Sequence, residues 1–138
     1  MGSKAFRYII DFSLSVLSSL LIALSFPKFD LGFLAWIGLL PLLIVINGKS
    51  LKYSFFLSLI CGAVFFFGAF YWILEVPKYA DVRGSLLALY LGCCFGFFYF
   101  GSYFGVFGLA YTIVSKRLGT TPALLAAPFI WVSLEYVR

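Results

Sequence analysis

Residues Gly84 to Ser115 form a run of 32 without a charged side chain, punctuated by Gly92, Gly96, Gly101, Gly105 and Gly108. As a helix rising about 1.5 Å per residue this run would be roughly 48 Å long, whereas the hydrocarbon core of a bilayer is about 30 Å thick. A chain that contains it folds around a membrane-crossing helix with length to spare. The surplus has to be absorbed by tilt, by a bend at the glycines, or by helix projecting past the headgroups. A step of about 100° per residue puts Gly92 and Gly96 on one face and Gly101, Gly105 and Gly108 on roughly the opposite one. Small residues four apart let helix backbones approach closely in lipid, where van der Waals fit replaces the hydrophobic effect. The five glycines are therefore expected to mark helix packing; the alternative is that an aromatic-rich membrane helix simply tolerates them.

Composition bears this out along the whole chain. Charged residues make up 11% of the 138 and the mean hydropathy is +1.09, while soluble domains carry about 25% charged residues. The expected class is an all-α integral membrane protein. The net charge of +5 does not point to nucleic acid, because the ten basic residues are scattered in short clusters between apolar runs and so report topology. The chain has no histidine, which removes Cys-His and Ser-His nucleophilic pairs and the commonest metal ligand. Neither a metal nor a cofactor is expected. Cys61, Cys93 and Cys94 lie in apolar runs without C-x-x-C spacing, where low dielectric opposes thiolate formation, and read as packing residues. Phe6 stands where a myristoylation signal wants Ser or Thr.

The apolar runs and their breaks predict about five transmembrane helices, at 8–26, 31–47, 53–74, 85–115 and 121–138. Lys4 and Arg7 ahead of the uncharged stretch Phe12 to Pro27 imitate a signal peptide, with a small-residue site at Ala23-Leu24-Ser25. Asp11 interrupts that imitation and the following chain is itself apolar, so the first helix is expected to be retained. Pro27 stops it and Asp30 can cap the next. Pro41 should kink the second helix and Pro128 the fifth, each by removing a backbone donor. Gly48 is a candidate helix C-cap. Thr121 reads as an N-cap with Pro122 at the first helical position.

Basic residues set the orientation. Lys4, Arg7, Lys49, Lys52, Lys116 and Arg117 fall on one side of this topology, diluted only by Asp11. Lys28, Lys78, Arg83 and Arg138 fall on the other, against Asp30, Glu75, Asp81 and Glu135. The positive-inside rule then makes the N-terminus cytoplasmic. Two clusters share the outer face: Tyr71, Trp72 and Glu75 where the third run ends, and Trp131, Glu135 and Arg138 in the last. They read either as headgroup contacts of a laterally open lipid cavity or as interfacial anchors and ion-pair glue.

Four segments carry a family resemblance: Ala23-Leu24-Ser25-Phe26-Pro27, Leu34-Ala35-Trp36-Ile37-Gly38-Leu39-Leu40-Pro41-Leu42-Leu43, Phe70-Tyr71-Trp72-Ile73, and Trp131-Val132-Ser133-Leu134-Glu135-Tyr136-Val137-Arg138. In that order and spacing they resemble the N-terminal membrane portion of the apolipoprotein N-acyltransferases of bacterial inner membranes. The resemblance implies an eight-helix membrane domain with a nitrilase-like α/β domain held on the periplasmic side between the seventh and eighth helices. It also implies transfer of an acyl chain from a phospholipid to the α-amino group of the S-diacylglyceryl cysteine of an apolipoprotein. The implied route is a thioester on a cysteine activated by a Glu-Lys-Cys triad, which needs no histidine.

The segment resembled precedes the nitrilase-like domain, so no triad residue is carried over, and Cys61, Cys93 and Cys94 do not match the nucleophile. The chain is thus expected to be an incomplete first portion, inactive alone, with membrane phospholipid as partner and an apolipoprotein as substrate of the whole enzyme. Two other classes compete: a small transporter or channel subunit, and a non-catalytic membrane scaffold. Glycine-rich, interrupted helices suit a transporter, but no ionisable residue lies near the middle of a run, where a substrate relay would sit.

Overall fold

A computed structural model describes residues 2–26, 31–69 and 82–137. Among these every regular element is a helix: α1 (Gly2–Leu24), α2 (Leu34–Ile37), α3 (Leu40–Ile46), α4 (Leu51–Ala69), α5 (Val82–Leu118) and α6 (Thr120–Val137). Lys4–Leu24, Leu51–Ala69 and Gly92–Leu118 are each long and apolar enough to cross a membrane. A helix satisfies its own backbone hydrogen bonds, which hydrocarbon cannot do for it. The protein is an all-α, multi-pass membrane protein.

The long helices pack in sequence order, α1 on α4, α4 on α5 and α5 on α6, while α3 lies against α1 and α4. At 37 residues, α5 would measure roughly 55 Å, well beyond a hydrocarbon core. The shared core holds Leu42, Ile46, Leu57, Cys61, Phe104, Phe107 and Tyr111.

The second apolar run is not one helix over 31–47. It breaks between α2 and α3 at Gly38 and Leu39, which keep right-handed dihedrals. Pro41, at the start of α3, has no N–H for the Ile37 carbonyl, so the ladder opens just upstream of it. The break is used for packing: Ser18 Oγ donates to the Gly38 carbonyl at 2.5 Å, and a Cβ at Gly38 would stand 2.8 Å from Ile22 Cγ1. The last helix also starts earlier than expected. Thr120 is already helical, the Ala123 N–H reaches the Gly119 carbonyl at 3.3 Å, and Thr121 and Pro122 both lie within the first turn, where a missing N–H costs nothing. The turns before α4 and α6 rest on Gly48 (φ 72°) and Gly119 (φ 95°), left-handed positions that glycine occupies without a Cβ penalty.

The glycines of α5 do not divide into two faces. A Cβ at Gly96 would strike the Phe66 ring, at Gly101 would stand 3.3 Å from the Leu59 carbonyl, at Gly105 would stand 2.6 Å from the Phe55 ring, and at Gly108 would strike Ser58. All four neighbours belong to α4. Ideal spacing offsets Gly96 from Gly101 by about 140°, and the long Phe66 side chain spans that offset. Gly92 has no described atom within 4 Å of a Cβ position. From the other side, a Cβ at Gly62 of α4 would stand 2.8 Å from the Phe104 side chain.

A polar stripe joins α1 to its neighbours. Asp11, Ser15, Ser18 and Ser19 follow i, i+4, i+7, i+8 spacing and are buried. Ser15 Oγ donates to the Leu57 carbonyl at 2.6 Å and Ser19 Oγ to the Cys61 carbonyl at 2.8 Å. Hydrogen bonds of this kind in membrane bundles average about 0.6 kcal/mol each, so the stripe sets register more than it adds stability.

Candidate functional site

Where α6 leaves α5, it is held at one end and open at the other. Asn47, the residue after α3, accepts from Ser115 Oγ at 2.7 Å and donates from Nδ2 to Thr120 Oγ1 at 3.2 Å. One side chain thereby ties the end of α3 to the end of α5 and the start of α6. From this clamp α3 and α6 run back antiparallel, with Ala123 and Ala127 buried on the inner face of α6.

Between α2–α3 and α6 lies a groove of about 510 Å3. Leu39, Leu40 and Leu43 wall one side, and Leu124, Pro128 and Trp131 the other. No charged side chain lines it. Its volume falls within the roughly 300–1,000 Å3 of small-molecule sites. Pro128 lies inside α6 and supplies no donor to the Leu124 carbonyl, which leaves a polar backbone atom beside the groove.

Trp131 is positioned from behind. Its ring meets Phe104 edge-on at 4.9 Å and Phe107 at 5.4 Å, and Phe104 packs on Phe65 of α4 at 5.6 Å. Gly62 makes room for the Phe104 ring, so a chain of aromatic contacts runs from α4 through α5 to the groove wall. The two contacts to Trp131 have the edge-to-face geometry that aromatic pairs prefer. An apolar slot with one fixed indole and no nucleophile can hold an alkyl chain by shape; it cannot by itself break a bond.

Of the residues singled out in the sequence, Trp131 and Pro128 line this groove. Glu135 is exposed one turn further along α6. Tyr71, Trp72, Glu75 and Arg138 lie outside the described residues. Pro41 sits half-buried in α3 and not in the groove. Cys61 is buried in the core, and Cys93 and Cys94 are half-buried. Among the described residues no three His, Cys, Asp or Glu side chains come together.

Sequence reasoning missed a second polar centre, at the end where α1 begins. Asp11 Oδ2 accepts from Lys49 Nζ at 2.6 Å and from Tyr53 OH at 3.0 Å. The signal was available, since a carboxylate within an apolar run has to find a partner. Asn47 gives no such signal, since in the sequence it is one polar residue of the break around Gly48.

A family model described as Apolipoprotein N-acyltransferase N-terminal domain matches residues 18–138. An apolipoprotein N-acyltransferase of Geobacter metallireducens is 32% identical over 129 residues, covering 93% of this chain and 24% of that protein. One of Chlorobaculum tepidum is 32% identical over 135 residues, 91% of this chain and 22% of the relative. One of Thermotoga maritima is 36% identical over 73 residues, 53% of this chain and 14% of the relative. The chain therefore spans about a quarter or less of the length of these curated relatives. No solved structure matches it.

Proposed function

The chain belongs to the apolipoprotein N-acyltransferase N-terminal domain family, and from that premise we propose that it is the membrane part of an enzyme acylating bacterial lipoproteins. The reaction is transfer of a phospholipid acyl chain to the N-terminal S-diacylglyceryl cysteine of an apolipoprotein. The part played by this chain is to hold an acyl chain in the groove between α2–α3 and α6. The observation that carries the proposal is the position of Trp131, fixed by Phe104 and Phe107 on one side and facing an uncharged slot on the other. Because lipid tails are as apolar as leucine, the slot selects a chain by fit and not by hydrophobicity.

The chain is inactive alone. Its thiols lie within apolar helices, and acyl transfer needs an activated nucleophile with an oxyanion site. Its membrane is the bacterial inner membrane, with the N-terminus in the cytoplasm. Lys4, Arg7, Lys49, Lys52, Lys116 and Arg117 gather at the end of the bundle that Asn47 and the Lys49–Asp11 pair hold together, and this supports the orientation.

A phospholipid carrying a mid-chain diazirine tests the groove. After exchange into detergent and photolysis, the label should concentrate on Leu39, Leu43, Leu124 and Pro128. Leu125 and Phe129, 71% and 75% exposed on α6, serve as ordinary lipid-facing controls. Labelling of the controls equal to that of the groove residues would remove the groove from the reading.

A further inference from the structure

We infer that the pocket between the first half of α1 and the start of α4 binds the phosphodiester headgroup of an anionic phospholipid, at the end of the bundle where α1 and α4 begin. The pocket encloses about 420 Å3, room for a headgroup but not for a whole lipid. Lys4, Arg7, Tyr8 and Asp11 line it from α1, where their spacing of three, four and seven residues puts them on one face. Lys49, Ser50 and Tyr53 line it from the other side.

Three cations thus face one carboxylate, and that carboxylate is already engaged. Asp11 Oδ2 takes both the Lys49 ammonium and the Tyr53 hydroxyl. Lys4 and Arg7 have no ion-pair partner among the described residues. Two exposed cations would be unremarkable on a soluble surface. Here they share a walled cavity with further donors. Ser50 Oγ accepts from the Tyr53 N–H at 3.3 Å, which leaves its own proton to donate into the pocket. Tyr8 is held against the wall by an edge-on contact with Tyr53 at 5.8 Å. The N-termini of α1 and α4 lie at this end together with the C-termini of α3 and α5, so the helix dipoles offset one another there and the side chains set the sign.

Depth narrows the class of anion. The apolar stretches of α1 and α4 begin at Lys4 and Leu51, and that of α5 finishes at Leu118, so the pocket lies where the hydrocarbon ends and phospholipid phosphates reside. A zwitterionic headgroup would bring its own ammonium to a site whose only carboxylate is taken, so an anionic headgroup such as phosphatidylglycerol is favoured. Once bound, it bridges α1 to the connection between α3 and α4.

The test uses the 138-residue chain in neutral detergent, equilibrated with phosphatidylcholine and phosphatidylglycerol of matched acyl chains, with native mass spectrometry counting retained lipid. One phosphatidylglycerol should be retained in preference to phosphatidylcholine. The preference should fall about tenfold or more in the Lys4→Gln/Arg7→Gln variant, since each cation at an anionic surface is worth about fivefold. It should persist in Lys116→Gln/Arg117→Gln, which removes equal charge from the same end outside the pocket. Equal loss in both variants would mean a diffuse field and overturn the inference. Displacement of the lipid by millimolar inorganic phosphate would overturn the lipid assignment. If the double variant unfolds, Arg7→Lys against Arg7→Gln decides: retention in the first and loss in the second supports the pocket, and equal loss in both overturns it.

Discussion

Asp11 depends on a side chain 38 positions later in the sequence: Lys49 Nζ lies 2.6 Å from its carboxylate, with 34% and 11% side-chain exposure for Lys49 and Asp11. Removing one member of a partly buried pair strands the other, whereas removing both can be nearly neutral. Asp11→Ala is expected to cost about 1–2 kcal/mol, between the values for exposed and for fully buried pairs because Lys49 is a third exposed. Asp11→Ala/Lys49→Ala should recover part of that loss. Thermal unfolding in detergent measures the cycle, and strict additivity of the two single variants would show that the pair does not couple. Sequence alone could say that Asp11 needs a partner; it could not choose Lys49 over Lys4 or Arg7, because only the turn at Gly48 and the packing of α1 on α4 bring Lys49 there.

The α4–α5 pair is an element built on close approach. Along it Gly96, Gly101, Gly105 and Gly108 of α5 meet Phe66, Leu59, Phe55 and Ser58 of α4. A leucine at Gly96 or Gly105 has to displace an aromatic ring or push the helices apart, which typically costs about 1–3 kcal/mol. Gly96→Leu and Gly105→Leu should each lower the melting temperature in detergent, while Gly92→Leu should leave it unchanged. Stability of Gly105→Leu equal to the parent's would mean that α4 and α5 do not touch there. Ideal helical spacing assigns Gly96 to a face away from Gly105, and a long side chain on the partner helix overrides that geometry.

For the molecule as a whole, the connections at 47–50 and 118–120 lie at one end, joined through Asn47. Reporter fusions after Ser50 and Thr120 should therefore report one compartment, the cytoplasm, and a fusion after Asp81 the periplasm. Matching signals at Ser50 and Asp81 would contradict a crossing by α4. The isolated chain, incubated with labelled phospholipid, should bind lipid without forming a thioester. A hydroxylamine-sensitive label on Cys61, Cys93 or Cys94 would be the contrary result.

What the amino-acid sequence determined by itself is what depends on chain length and local chemistry. Uncharged runs longer than a bilayer is thick have to be helices, Gly48 and Gly119 permit the turns that reverse the chain, and the clustering of basic residues fixes which ends belong together. The sites needed the tertiary structure. In a soluble helix the apolar stripe marks the buried face, but in lipid both faces are apolar, so nothing along α4 or α6 announces which side meets protein. The groove exists because Pro41 opens the ladder between α2 and α3, Asn47 clamps one end of α6, and Trp131 is held against Phe104 and Phe107. The break at Pro41 is local and legible in the sequence; the clamp at Asn47 and the seat of Trp131 join residues far apart in the chain, through packing that no local pattern encodes.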